Sequence, residues 1–102
     1  MRDNFAVDVR NEIVEQMKTN CCRDEINPDG YPFDAGILDF LDILNEDLSE
    51  GVLLVDLPEH LELYNRYCVE GQGLNGNSLC MVEGWDFAYA AMMRVLEKAG
   101  LA

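Results

Sequence analysis

Three carboxylates, Asp39, Asp42 and Glu46, are spaced three and four residues apart. On a helix this spacing places neighbouring side chains on one face, about 5–6 Å apart, where like charges lose roughly a few tenths of a kcal/mol. No Lys or Arg occurs between Asp24 and Glu59 to compensate them. The pattern therefore predicts a surface that attracts positive charge. The expected rim of this surface consists of four further carboxylates: Asp29, Asp34, Glu50 and Asp56.

The charge of the whole chain supports the same class of partner. The 102 residues include 20 acidic and 7 basic ones, for a formal net charge of −13. Direct binding to nucleic acid or to an anionic membrane is disfavoured, because both require basic surface. The hydrophobic fraction of 49% is ordinary for a folded chain, so we expect one acidic globular domain over 1–102. Solubility is the competing explanation of the acids, since net charge keeps a small protein in solution.

The composition resembles that of the DNA-mimic inhibitors carried by phages and mobile elements, among them anti-restriction and anti-CRISPR proteins. The resemblance concerns small size and acidity, and no motif carries it. Carboxylates about 5–6 Å apart on a helix are comparable in spacing with successive phosphates of a DNA strand, about 7 Å apart. The resemblance implies a non-enzymatic protein that occupies the groove of a basic or nucleic-acid-binding partner protein.

No arrangement of titratable residues in the sequence specifies a reaction. His60 is the single histidine, and Cys68 follows two helical turns later, about 12 Å away and too far for direct proton transfer. The glycines at 71, 73 and 76 lack the Lys-Ser/Thr ending of a phosphate loop. We therefore expect no catalytic residue, no cofactor and no metal, and a partly buried His60 bonded to a neighbouring group.

A short stretch between the first two predicted helices resembles the first half of an EF-hand calcium loop, in which oxygen ligands alternate before a glycine turn. The resemblance rests on four residues: Glu25, Asn27, Asp29 and Gly30. With Glu25 as the first position, Gly36 stands where the family has its bidentate Glu, and Pro32 occupies the eighth position. A degenerate calcium-binding protein is thus a second alternative, beside a plain turn with capping acids.

The cysteines and the apolar runs bear on the compartment. The N-terminus shows no export signal, and the longest apolar run, 52–55, is far shorter than the roughly 20 residues of a membrane span. We therefore expect a cytoplasmic protein whose four cysteines are reduced and buried among apolar residues. These are Cys21, Cys22, Cys68 and Cys80.

Apolar residues at three- and four-residue steps predict four helices, at 4–20, 34–50, 56–70 and 84–99. The fold class is mainly α, a compact bundle of about four helices. The runs 52–55 and 79–82 are compatible with one short two-stranded β ribbon, so α+β is the alternative. Turn residues separate the first two helices, and glycines at 71–78 predict a loop. The expected core comprises Val9, Ile13, Met17, Leu41, Leu44, Leu61, Tyr64, Trp85, Tyr89, Met92 and Leu96.

The last predicted helix offers a different interface. Phe87 lies about 200° around this helix from Trp85, on its charged side. Together with Met93, these residues predict an adaptor or self-associating module, such as a homodimer, if they are exposed. In that alternative the acids of the middle segment only solubilise the chain.

Overall fold

The computed structural model describes residues 4–62 and 76–101. Helix α1 spans Phe5–Asn20 and helix α2 spans Pro32–Ser49. A 3₁₀ turn at Leu54–Asp56 leads into helix α3, which begins at residue 57 and is described to residue 62. Helix α4 spans Gly76–Lys98. These helices confirm the predicted mainly α bundle of about four helices.

The predicted ribbon is wrong. Residues 79–82 lie inside α4, and the described residues contain no strand. The other half of the ribbon, 52–55, is extended for two residues and then enters the 3₁₀ turn. Because a short apolar run fits a buried strand and a buried helix equally well, the sequence pattern could not separate the two. Helix α4 also takes up 76–78 of the predicted glycine loop, whose other residues lie outside the described ones.

Two glycines explain how α4 extends eight residues before its predicted start. Gly36 of α2 and Gly84 of α4 are both buried. A Cβ on Gly84 would overlap the carbonyl oxygen of Phe33, and a Cβ on Gly36 would overlap the carbonyl oxygen of Met81. The backbones of α2 and α4 therefore touch at this crossing, where only glycine fits. That contact offsets the roughly 1 kcal/mol that glycine costs inside a helix.

The core lies where α4 packs along α2 and against α1. Most predicted core residues are confirmed as buried: Val9, Ile13, Met17, Leu41, Leu44, Leu61, Trp85, Met92 and Leu96. Tyr89 is half-buried, and Tyr64 lies outside the described residues. Among the described residues, six further hydrophobic ones are buried in the core: Phe5, Ile37, Phe40, Leu57, Ala88 and Ala91. In the described parts of the chain, no helix has a segment long and apolar enough to cross a membrane.

Candidate functional site

The outer side of α2 carries three carboxylates that are spaced three and four residues apart. The inner stripe of this helix, which includes Ile37, Phe40 and Leu44, is fully buried against the rest of the bundle. Residues on the opposite side must therefore face solvent, and Asp39, Asp42 and Glu46 are all exposed. We call these three residues the acidic face. The structure brings them together on one helix surface, as their spacing predicted.

The acidic face lacks compensating charge. Among the described residues, no Lys or Arg forms a salt bridge with any of its three carboxylates. The Lys and Arg residues of the described chain lie elsewhere. Arg23 forms a salt bridge with Asp34, and Arg94 and Lys98 form salt bridges with Glu12. Arg10 and Lys18 are exposed on α1. The outer side of α2 is therefore a region of concentrated negative charge.

Two local features of α2 disfavour negative charge on the acidic face. Partial burial raises the pKa of Asp39, and the neighbouring Asp42 carboxylate raises it further. Both causes disfavour the ionised form. The last turn of α2 contains no basic residue, although the partial negative charge at a helix C-terminus favours cations and disfavours acids such as Glu46. Folding therefore disfavours the ionised form of Asp39.

Three of the four carboxylates predicted to form the rim are exposed. Asp29, Glu50 and Asp56 are exposed, whereas Asp34 is completely buried. The Asp34 carboxylate accepts two hydrogen bonds from Arg23, at 2.7 and 2.8 Å, and a third from the backbone N–H of Asn27, at 2.8 Å. The assignment of Asp34 to the rim is therefore wrong, because this carboxylate is enclosed and fully occupied inside the protein.

Asp34 instead fixes the loop between α1 and α2. Burial alone would raise the pKa of Asp34, but the hydrogen bonds from Arg23 and from the Asn27 backbone lower it below the ordinary value. The Arg23 guanidinium also lies over the ring of Tyr31, 3.9 Å from its centroid. A charge-assisted pair and a stacked ring at one point hold this loop against the start of α2.

The alternative interface on the last helix is largely covered. Trp85 is 5% exposed and packs edge-on against Phe40, with ring centroids 5.1 Å apart. Phe87 is half-buried and packs edge-on against Phe33 at 5.4 Å. Met93 is half-buried against the core. Trp85 is thus wrongly placed in that interface, because it belongs to the contact between α2 and α4.

The calcium-like stretch folds as a turn. Asn27 accepts a hydrogen bond from the backbone N–H of Gly30 through its side-chain oxygen, at 3.2 Å, and α2 already begins at Pro32. Over the described residues, no group of three or more His, Cys, Asp or Glu side chains is placed to hold a metal ion. The side-chain oxygen of Asn27 therefore stabilises the turn that ends at Gly30.

The thiols and the histidine differ from expectation. Cys21, Cys22 and Cys80 are free thiols, as expected, but Cys22 and Cys80 are exposed and Cys21 is half-buried. Cys68 lies outside the described residues. The predicted burial is wrong for Cys22 because it lies in the loop after α1 with a φ of 56°, beyond the amphipathic pattern. His60 is exposed rather than partly buried, since the inward positions of α3 are taken by Leu57 and Leu61.

A surface cavity of about 260 Å³ lies beside the start of α3 and is lined by Glu62, Trp85, Asp86 and Tyr89. The Tyr89 hydroxyl donates a hydrogen bond to the carbonyl oxygen of Pro58, at 3.2 Å. Burial raises the pKa of Tyr89, and the charge of Glu62 raises it further. This hydroxyl is therefore protonated at neutral pH and ties α4 to α3.

The sequence pattern did not predict two exposed apolar residues between α2 and α3. Leu53 is 61% exposed and Val55 is 55% exposed, although the apolar run 52–55 predicts a buried segment. No signal in the uniformly apolar run 52–55 distinguishes these two residues, because Val52 and Leu54, of the same residue types, pack against the core. Leu53 is extended and Val55 lies in the 3₁₀ turn Leu54–Asp56, so the local backbone conformation directs both side chains outward.

Comparisons with protein-family models, with curated proteins and with solved structures find no match for this chain.

Proposed function

We propose that this chain is a small, non-enzymatic acidic protein that binds a basic partner protein through the acidic face of α2. The partner is a nucleic-acid-binding protein, and the acidic face occupies the groove that otherwise receives phosphates. Such an inhibitor belongs to the kind of nucleic-acid mimic that phages and mobile elements encode. Asp39, Asp42 and Glu46 are its central contacts, with Asp29, Glu50 and Asp56 around them.

One observation carries the proposal: the three carboxylates are exposed on one helix face without a described salt-bridge partner. Solubility alone needs only net charge, and it is served equally by acids interleaved with bases or spread over the surface. It does not require like charges at the spacing where they repel each other. A protein that occupies a phosphate-binding groove, in contrast, needs regularly spaced negative charge on a rigid support.

The competing function, self-association through the last helix, has less support. Of its three residues, Trp85 is buried in the core and the other two are half-buried. Two copies of a chain with a net charge of −13 also repel each other at low ionic strength. Its distinguishing result is concentration-dependent dimerisation that Phe87→Ala or Met93→Ala abolishes while the acidic face is intact.

The test is displacement of nucleic acid. A panel of basic DNA- and RNA-binding proteins is loaded with fluorescent duplexes, and fluorescence anisotropy records their release as the acidic protein is added. We expect release from at least one panel member, with an apparent affinity that falls as salt rises because the contact is electrostatic. Failure to displace nucleic acid from a panel member that the chain does bind would contradict groove occupation.

Matched variants separate the acidic face from net charge. The variant Asp39→Asn, Asp42→Asn, Glu46→Gln removes three negative charges from α2. The control variant removes three exposed charges from α1 and α4: Glu15→Gln, Glu83→Gln and Glu97→Gln. We expect the first to weaken displacement by about a hundredfold and the second by no more than about threefold, since loss of close ion pairs exceeds loss of long-range attraction. Equal effects of the two variants would assign the binding to net charge alone.

A further inference from the structure

Leu53 and Val55 form an exposed apolar pair in the connection between α2 and α3. Their exposed fractions, 61% and 55%, are among the largest for apolar side chains in the described residues. Exposed carboxylates surround them in sequence: Glu50 at the end of α2, Asp56 directly after Val55, and Glu59 in the first turn of α3. An aliphatic pair with carboxylates adjacent to it in sequence has the composition of a binding surface, which combines an apolar centre with a polar rim.

The exposure of this pair is built into the backbone. Before it, the backbone N–H groups of Gly51 and Val52 donate to the carbonyl oxygens of Leu48 and Asp47, at 3.2 and 3.1 Å. After it, the N–H of Asp56 donates to the carbonyl oxygen of Leu53, at 2.9 Å. These bonds constrain the backbone on both sides of the pair, which keeps Leu53 and Val55 at the surface.

Core packing of the adjacent residues keeps Leu53 and Val55 at the surface. Leu54 packs against the core and Leu57 is fully buried. Turning Leu53 or Val55 inward would displace these side chains from the core, which is unfavourable because burial of aliphatic side chains stabilises the folded state. The apolar pair therefore remains at the surface in the folded chain.

The surrounding charge identifies the occupant. A second copy of this chain would bring its own carboxylates against Glu50, Asp56 and Glu59. A neutral apolar partner would leave these carboxylates desolvated and unpaired, which costs free energy. A basic amphipathic segment satisfies both parts of the surface, because its aliphatic side chains cover the apolar pair while its Lys or Arg side chains reach the carboxylates.

We propose that Leu53 and Val55 form the apolar part of the partner contact and receive the aliphatic side chains of a basic amphipathic helix. This inference rests on the proposed function and adds the chemistry of the partner: positive charge alone is insufficient, and an apolar stripe accompanies it. Charged groups around the pair set the orientation and the rate of association, whereas the apolar pair slows dissociation.

Two synthetic helical peptides of equal length and equal positive charge test the inference. One carries Leu along one face among Lys residues, and the other carries Ala in place of every Leu. Fluorescence anisotropy measures the affinity of each for the wild-type chain. We expect the Leu peptide to bind about tenfold more tightly, and Leu53→Ser with Val55→Ser to abolish this preference. The control Val7→Ser, at a residue 56% exposed on α1, should preserve it.

The outcomes of this experiment distinguish the inference from the proposed function. Equal affinity of the two peptides, no binding of the Leu peptide, or an unchanged preference in the Leu53/Val55 variant overturns the inference. The acidic-face variant tests the proposed function separately, because it should weaken both peptides together and retain the preference for Leu. Circular dichroism of each variant verifies that the helices are intact, which is expected because all substituted residues are exposed.

Discussion

Replacement of Gly84 by Ala should destabilise the protein, although helix propensity alone predicts the opposite. Gly84 lies inside α4, and Ala in a helix interior is favoured over Gly by about 1 kcal/mol. The added Cβ would lie 2.8 Å from the carbonyl carbon of Phe33 and would overlap its oxygen. The obstacle is backbone of α2, which cannot move aside as a flexible side chain could.

The size of the effect follows from the separation that the Cβ demands. Ordinary contact begins near 3.4 Å, so α2 and α4 must move apart by more than about 1 Å to clear the Phe33 oxygen, a gap that forfeits about half of the dispersion energy of the facing atoms. Overpacking of this kind costs about 3 kcal/mol. After the gain in propensity, the free energy of unfolding should fall by about 2 kcal/mol, equivalent to a decrease in Tm of roughly 10 °C.

Urea denaturation checks this prediction. Helix loss is followed by circular dichroism, and the buried Trp85 next to the crossing provides a second probe by fluorescence. Ala90→Gly is the control, because Ala90 is exposed on the same helix and should lose only about 1 kcal/mol through propensity. An increased urea midpoint for Gly84→Ala would refute the close crossing of α2 and α4.

Three further perturbations address the ionised and hydrogen-bonded groups. Asp34→Asn should lower the free energy of unfolding by about 1–3 kcal/mol at pH 7. Because folding lowers the pKa of Asp34, its stabilising contribution exists above the unfolded pKa and is lost as pH falls through the folded pKa. The urea midpoints of variant and wild type should therefore converge in acid, and a difference that stays constant with pH would contradict this. Tyr89→Phe removes the hydrogen bond to Pro58 and should cost about 0.5–1.5 kcal/mol in thermal unfolding; no change in Tm would show that the bond contributes nothing. Asp39→Asn should stabilise the fold by about a few tenths of a kcal/mol at pH 7, because folding raises the pKa of Asp39 and so disfavours its charge. This gain in stability should vanish in acid, where wild-type Asp39 is protonated. A loss of stability at pH 7 would refute the claim that the charge of Asp39 destabilises the fold.

The helical part of the fold could be predicted because its signal is local. The stripe Val9, Ile13 and Met17 repeats at helical spacing and is buried as predicted, and Pro32 near the start of α2 is compatible with a helix at its first position. The length of α4 could not be predicted, because Gly84 is a helix breaker by propensity. Only its contact with Phe33 of α2, distant in sequence, reveals why it is there.

In the candidate site, too, the exposure of some residues follows from the local helix pattern, whereas that of others depends on a tertiary contact. Asp39, Asp42 and Glu46 are exposed as predicted, because one helix and its buried stripe determine their direction. Asp34 has the same residue type and lies on the same helix, yet it is enclosed by Arg23 from the preceding loop. Charge patterning cannot distinguish a carboxylate that awaits a partner from one that already has it, since the difference depends on a tertiary contact.

Helix α2 divides its positions between two roles, and this has a consequence for how the chain can evolve. The crossing at Gly36 admits no side chain, so almost every substitution there should be eliminated in a saturation-mutagenesis screen for folding. The outer positions 39, 42 and 46 contribute nothing to the core and should tolerate nearly all residues in the same screen. A lineage of such proteins could therefore alter its outer surface freely as a partner changes, while the inner side of the helix stays invariant and preserves the fold.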